Sequence, residues 1–184
     1  MRTSLIFVAA SLLLSACSST PQKTSTYLLR SSNGMETREL LDTEALSLRS
    51  VKVAGYIDQP GLVLEQADGT IHIARHHKWA EPLRQSLRQF LCAEISAKLG
   101  YNVIDSGKQL SRSKQLDVTI TTFHGDADGN AVLAAYWTLS KGDAAKTFQF
   151  ADTIPLDGAG YGALVTAQKK LLTDLAGAIA QTAK

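Results

Sequence analysis

The 184-residue chain is poor in cysteine, with only Cys17 and Cys92. Two cysteines cannot supply a disulfide framework, so the fold has to be held by a hydrophobic core. Nor is there an apolar stretch near the roughly 20 residues that a helix needs to cross a bilayer. The segment Leu5 to Leu14 comes nearest, and it covers only ten positions. Charge imbalance is missing too: 19 Lys and Arg against 17 Asp and Glu give a formal charge of +2. No basic stripe argues for nucleic acid as a partner. There is no G-x-S-x-G elbow, and no carboxylate pair is set up for acid–base work. What remains is an ordinary globular composition, 45% hydrophobic and 20% charged.

The amino terminus carries the first positive signal. Met1-Arg2-Thr3, the short apolar stretch and the small residues after it describe a secretory signal. Leu14-Ser15-Ala16-Cys17 is more specific than a generic cleavage site. It resembles a bacterial lipobox, in which a diacylglyceryl group is attached to the cysteine sulfur and the chain is cut just before that residue. The freed amino group is then acylated, commonly with palmitate. One acyl chain holds a protein only marginally, each buried methylene contributing about 0.8 kcal/mol. Diacylglyceryl and amide-linked chains together on Cys17 make release negligible. Ser18 follows where Asp tends to retain lipoproteins in the inner membrane, so the sorting signal at Ser18 points to the periplasmic face of the outer membrane.

The expected organisation is a signal peptide over 1–16, a lipidated tether over 17–26 and a single domain over 27–184. Removing the leader, whose one charge is Arg2, lowers the formal charge to +1. Residues 18–26, "SSTPQKTST", are polar and patternless. Fully extended, such a tether reaches at most about 30 Å, which keeps the body close to its membrane. After lipidation Cys92 is the one thiol left, and its place on the flank of a helix face predicts packing rather than reactivity.

Within the body, Tyr27-Leu28-Leu29 starts a first strand, and residues 30–47 show no clear pattern. Leu48 to Ile57 has β character, with Val51 and Val53 on one face, and ends at the turn Gln59-Pro60-Gly61. Leu62–Gln66 and Thr70–Ala74 flank Ala67-Asp68-Gly69 as a hairpin. From Trp79 to Leu99 the apolar period becomes helical through Trp79, Leu83, Leu87, Phe90, Leu91 and Ile95, with Arg84, Arg88 and Glu94 interposed. Pro82 fits only its first turn, and Gly100 its stop. Tyr101–Ile104 reads as a short strand. Leu116, Val118 and Ile120 share one strand face; Ala131, Leu133, Ala135, Trp137 and Leu139 share the next, and Phe148, Phe150 and Ile154 a third. A second helix runs from Tyr161 to about Ala180, its apolar side carrying Leu164, Leu171, Leu172, Leu175 and Ile179. The expected fold is α+β, a mostly antiparallel sheet with two long helices packed on one face.

Three constellations invite chemistry and fall short of it. His72, His76 and His77 with Glu81 suggest a metal, but a strand histidine followed by loop histidines does not share a helical face, and no set of four ligands is complete. Asp126-x-Asp128-x-Asn130 begins like a calcium loop, then places Ala131 and Trp137 where Gly and Glu belong. Gly158 to Ala163 reproduces G-x-G-x-x-A without a following strand and acidic residue, so its glycines are read as a bend. No cofactor or metal is expected.

Other segments are informative in combination. In order they are the lipobox and tether, "VKVAGYIDQPGLV" (51–63), "HKWAEPLRQSL" (77–87), "LDVTITTFHGDADGNAVLAAYWTL" (116–139) and "GYGALVTAQKKLLTDLAGAIA" (160–180). Over nearly all the mature chain they resemble the ABC-type transport auxiliary lipoproteins of the paraquat-inducible protein C type. Trp79-Ala80-Glu81-Pro82-Leu83 and the Gly160-Tyr161 helix start are the most specific parts; Gly162 departs from the polar residue expected there. The resemblance implies a non-enzymatic accessory of a lipid transport system that supports membrane integrity. Its implied partner is an MCE-domain protein of an inner-membrane transporter, and it leaves room for a homo-oligomeric ring. It offers no catalytic residue, and Cys17 alone maps to a defined chemical role. Two other readings stay open: a stand-alone periplasmic lipid-binding lipoprotein, and a hydrolase using His76, His77 or His124.

The lipobox reading has a direct test. Cys17→Ala should block lipidation and leave unprocessed precursor on immunoblots; normal processing and membrane fractionation of that variant would refute it.

Overall fold

The computed structural model describes residues 22–33, 46–105 and 114–184. Within these lie β1 (Ser25–Tyr27), β2 (Leu46–Val53), β3 (Gly61–Glu65), β4 (Ile71–Trp79), α1 (Leu83–Leu99), β5 (Lys114–Gly125), β6 (Asn130–Lys141), β7 (Ala144–Pro155) and α2 (Tyr161–Ala183). Cys17 and Ser18 lie outside the described residues, as does the leader. No helix among the described residues is long and apolar enough to cross a membrane.

The α+β class holds, but the sheet is mixed rather than mostly antiparallel. Its path is β1-β4-β3-β5-β6-β7, with β2 also paired to β5. β1 with β4, β2 with β5 and β3 with β5 are parallel; β3 with β4, β5 with β6 and β6 with β7 are antiparallel. The difference arises at residues 54–60, where the sequence suggests a reversal. Instead the Ala54 N–H continues the ladder to the Ile120 carbonyl at 3.0 Å, and the N–H groups of Ile57 and Asp58 fold back onto the Ala54 carbonyl. The chain then resumes its direction as β3. Thus β2 and β3 lie end to end along one edge of β5, meeting it at Leu46–Val53 and at Leu64. Tyr101–Ile104, expected as a strand, contributes one bridge from Ile104 to Ser47.

Two single-residue insertions set which side chains face inward. The β5–β6 register skips at Thr121, so Ile120 and Phe123 are both buried despite their odd spacing. A second skip at Arg49 lets both Arg49 and Ser50 hydrogen-bond to Asp117 on β5. Burial works to raise the Asp117 carboxyl, but the hydrogen bonds from Arg49 and Ser50 and the nearby cations hold it below its ordinary range.

The helices follow their apolar stripes. α1 starts at Leu83 rather than Trp79 because Pro82, with φ −53 and ψ 125, is its extended N-terminal cap. At its other end Gly100 is left-handed (φ 79) and its N–H closes on the Ser96 carbonyl at 2.9 Å. α1 packs on β2 and on α2, while α2 packs on β5, β6 and β7. Leu164, Leu171, Leu172, Leu175 and Ile179 of α2 are at most 1% exposed, and each such side chain contributes about 1.5–3 kcal/mol. Glu94, interposed among the apolar positions of α1, is buried and accepts a hydrogen bond from the Ser31 hydroxyl.

The corner where β3 meets β4 is packed without slack. A Cβ added at Gly61 would sit 2.3 Å from the Ala74 carbonyl oxygen and 2.8 Å from Ile73 Cγ2. Gly61→Ala should therefore lower stability by about 1–3 kcal/mol, the range for overpacking. Urea unfolding checks this: the midpoint should fall with the slope unchanged, and an unchanged midpoint would contradict the packing described.

Candidate functional site

The segment Trp79–Leu83 is where distant parts of the chain converge. The Trp79 N–H donates to the Pro60 carbonyl at 2.8 Å, and the Ala80 N–H to the Tyr27 carbonyl at 2.8 Å. The point at which the body begins is thereby stitched to the end of β4 and to the turn before β3. The buried Trp79 ring stacks on Phe123, with centroids 6.2 Å apart and planes at 15°. A cleft of about 360 Å³ opens here, lined by Asp58, Pro60, Trp79, Glu81, Pro82 and Leu83 among others. Its carboxylates are already engaged, Glu81 with Arg30 and Asp58 with Arg84. With each acid paired to a guanidinium, the cleft is suited to fixing geometry and not to moving protons.

Beside it, three aromatic rings lock the start of α2 to the opposite sheet edge. His77 stacks on Tyr161 with centroids 4.1 Å apart, and its Nδ1 lies 2.9 Å from the Tyr27 hydroxyl. Burial pushes the Tyr161 phenol above its ordinary range, helped by the proximity of Tyr27. A small recess of about 200 Å³, lined by Leu64, Leu156, Gly160, Tyr161 and Leu164, adjoins this stack.

The histidines expected in a loop belong to β4, which runs on through His76 and His77. Among the described residues no group of three or more His, Cys, Asp or Glu side chains is placed to hold a metal ion. His124 is buried, with Nε2 3.5 Å from Glu65 and Nδ1 3.2 Å from the Gly125 carbonyl. The partners of His77 and His124 are thus phenols, a carboxylate and a carbonyl, an arrangement for packing two sheet corners.

The Asp126–Asn130 segment is a turn. Asp126 Oδ1 accepts the N–H groups of Asp128 and Asn130 at 3.0 and 2.8 Å, and Oδ2 accepts Asn130 Nδ2 at 2.9 Å. Gly158 and Gly160 both have positive φ, 102 and 88, and turn the chain from β7 into α2. Cys92 is buried, and burial, reinforced by Asp105, pushes its thiol up to about 12, against a smaller opposing effect of Arg88. It stays protonated and packs, as its helix position implies.

Residues 27–180 match the family model described as ABC-type transport auxiliary lipoprotein component. The chain belongs to this family. Over 141 residues it is 32% identical to the intermembrane transport lipoprotein PqiC of Escherichia coli, spanning 76% of this chain and 75% of that protein. The Shigella flexneri protein of the same name matches with the same figures. A crystal structure of an uncharacterized protein superposes with a TM-score of 0.74 at 27% identity, covering 89% of this chain and 100% of that one. Protein XCC0632 from Xanthomonas campestris shares the fold, with a TM-score of 0.64 at 15% identity over 85% of this chain and 92% of that one. The family is one of transport auxiliary lipoproteins rather than enzymes. The resemblance read from the Trp79–Leu83 and Gly160-Tyr161 segments is borne out, and the structure adds that these segments form adjoining features. Sequence reading missed the Tyr27–His77–Tyr161 stack because its members are far apart in the chain, the first two brought together by the parallel β1–β4 register and Tyr161 by the start of α2.

Proposed function

We propose that this chain is an outer-membrane-anchored periplasmic lipoprotein that docks the MCE-domain protein of an inner-membrane transporter at the outer membrane. The observation that carries the reading is family membership across residues 27–180, shared with relatives named intermembrane transport lipoproteins. In this reading residues 1–16 are a signal peptide, acylated Cys17 is the anchor, Ser18 directs it to the outer membrane, and 17–26 form the tether. The tether enters the body at β1, beside the Tyr27–Ala80 hydrogen bond, so the load between anchor and partner passes through the Trp79–Leu83 corner. Clefts whose charges are internally paired suit a scaffold that restricts a partner's position. Assembly of several copies into a homo-oligomeric ring would match a tubular MCE partner, and the system as a whole would carry lipid and support membrane integrity.

One observation favours a second reading. The apolar recess beside Tyr161 is the kind of concavity that takes part of an acyl chain, which suits a stand-alone periplasmic lipid-binding lipoprotein.

A pull-down of the full lipidated protein from detergent-solubilised envelopes separates the two. Docking predicts recovery of the MCE-domain protein of the same transport system. Recovery of the lipoprotein alone, with phospholipid retained in native mass spectrometry, would replace docking by the second reading.

A further inference from the structure

β7 is an edge strand of an unusual kind. It runs for twelve residues, Ala144–Pro155, in continuous register with β6 and without a bulge. Long flat edges invite strand addition, and proteins usually blunt them with bulges, inward-pointing charges or cover. Among the described residues no strand pairs with its outer side.

The parity of the ladder identifies which backbone groups face outward. The Asn130 N–H and carbonyl are both engaged with Asp126, on the β5 side. Asn130 and its partner Pro155 are therefore a non-hydrogen-bonded pair, consistent with the missing N–H of proline. Pairs alternate along an antiparallel ladder. Ala151, Gln149, Thr147 and Ala145 accordingly present their N–H and carbonyl groups to the free edge, while the Thr153 N–H is already taken by Asp152 Oδ1 at 2.8 Å. The strand is apolar enough to be extended: Phe148 and Phe150 are half-buried and pack against the core.

At one end this edge runs into a groove of about 340 Å³ beneath the C-terminus of α2, where Lys114, Lys141, Lys146 and Lys184 surround Leu139 and Phe148. Lys114 Nζ is held there by the Ala183 carbonyl at 2.8 Å. Asp143, in the β6–β7 turn, and Asp152, further along β7, are the nearby acids, both exposed and outside the groove lining. A row of unsatisfied backbone groups selects an extended peptide, and the lysines select its charge.

We propose that an extended segment of a partner protein adds to β7 as a further strand, alternating apolar and polar side chains and ending in acidic residues among Lys114, Lys141 and Lys146. Its apolar side chains cover Phe148 and Phe150, and its backbone satisfies the amides of Thr147, Gln149 and Ala151. The proposal rests on the docking reading, since it assigns the surface on which the partner is held.

The test uses the full lipidated protein and the MCE-domain protein as probe. Gln149→Pro and Ala151→Pro each remove one outward N–H and leave the β6 ladder intact, whereas Phe150→Pro, on the inward parity, should unfold the hairpin. Both outward variants should keep the wild-type thermal midpoint within a few degrees and reduce capture at least ten-fold, as should Lys141→Glu with Lys146→Glu. In the wild-type complex, hydrogen exchange at Thr147, Gln149 and Ala151 should slow at least ten-fold. Capture by the wild type with equal capture by the folded proline variants overturns the edge while docking stands. Slowed exchange in the protein alone, from pairing between two copies, also overturns it. No capture by the wild type overturns the docking reading and this inference with it.

Discussion

Leu116, Val118, Ile120 and Phe123 of β5 share one buried cluster with Leu171, Leu172 and Leu175 of α2, and the rest of the molecule depends on that contact. Among the described strands β5 is the one with three neighbours: β2 and β3 in succession on one edge and β6 on the other. Its burial under α2 fixes the register of all three, because a slip by one residue would turn its whole apolar set outward. The insertion at Thr121 keeps Ile120 and Phe123 both inside, and Phe123 in turn carries the stack with Trp79. The Trp79–Leu83 corner is thus positioned from the centre of the sheet.

Much of this was legible in the residues, and the failures have physical causes. Period-two burial on β5, β6 and β7 and the apolar stripes of both helices stand out because local periodicity reports local geometry. The helix start was displaced from Trp79 to Leu83 because an aromatic residue at helical spacing serves equally well at the end of a strand. Parallel pairing of β2 and β3 with β5 was not legible: nothing within Gln59-Pro60-Gly61 says whether the chain reverses or resumes after a loop. The groove lysines were equally hidden, since Lys114 and Lys184 are 70 residues apart in sequence and meet only where α2 ends over the first residues of β5 and β7. The burial of Glu94 was not legible, because helical spacing does not reveal its hydroxyl partner Ser31 in the segment before β2.

The described surfaces divide the labour. At the Trp79–Leu83 corner, acids and guanidinium groups are matched within the chain, so this region is rigid and self-sufficient. At β7 the opposite holds: backbone groups point outward, and the nearby lysines face a groove with no Asp or Glu among its described lining residues. The lysine groove lies at the Lys114 end of β5, while β1 is joined to the sheet through β4 and then β3, which meets β5 at its Gly125 end. Twelve strand residues separate those ends, about 40 Å. On the proposed reading, a body tethered at one end and open at the other would hold its partner at a set distance from the membrane.

The central claim, that the lipid anchor of this chain determines where its transport partner is held, is best tested by density-gradient separation of inner and outer membranes in an enterobacterial host. The MCE-domain protein should appear partly with outer-membrane fractions when the wild-type lipoprotein is present, and lose that fraction when Ser18→Asp moves the lipoprotein to the inner membrane. An unchanged distribution of the partner, with the lipoprotein relocated, would contradict the account.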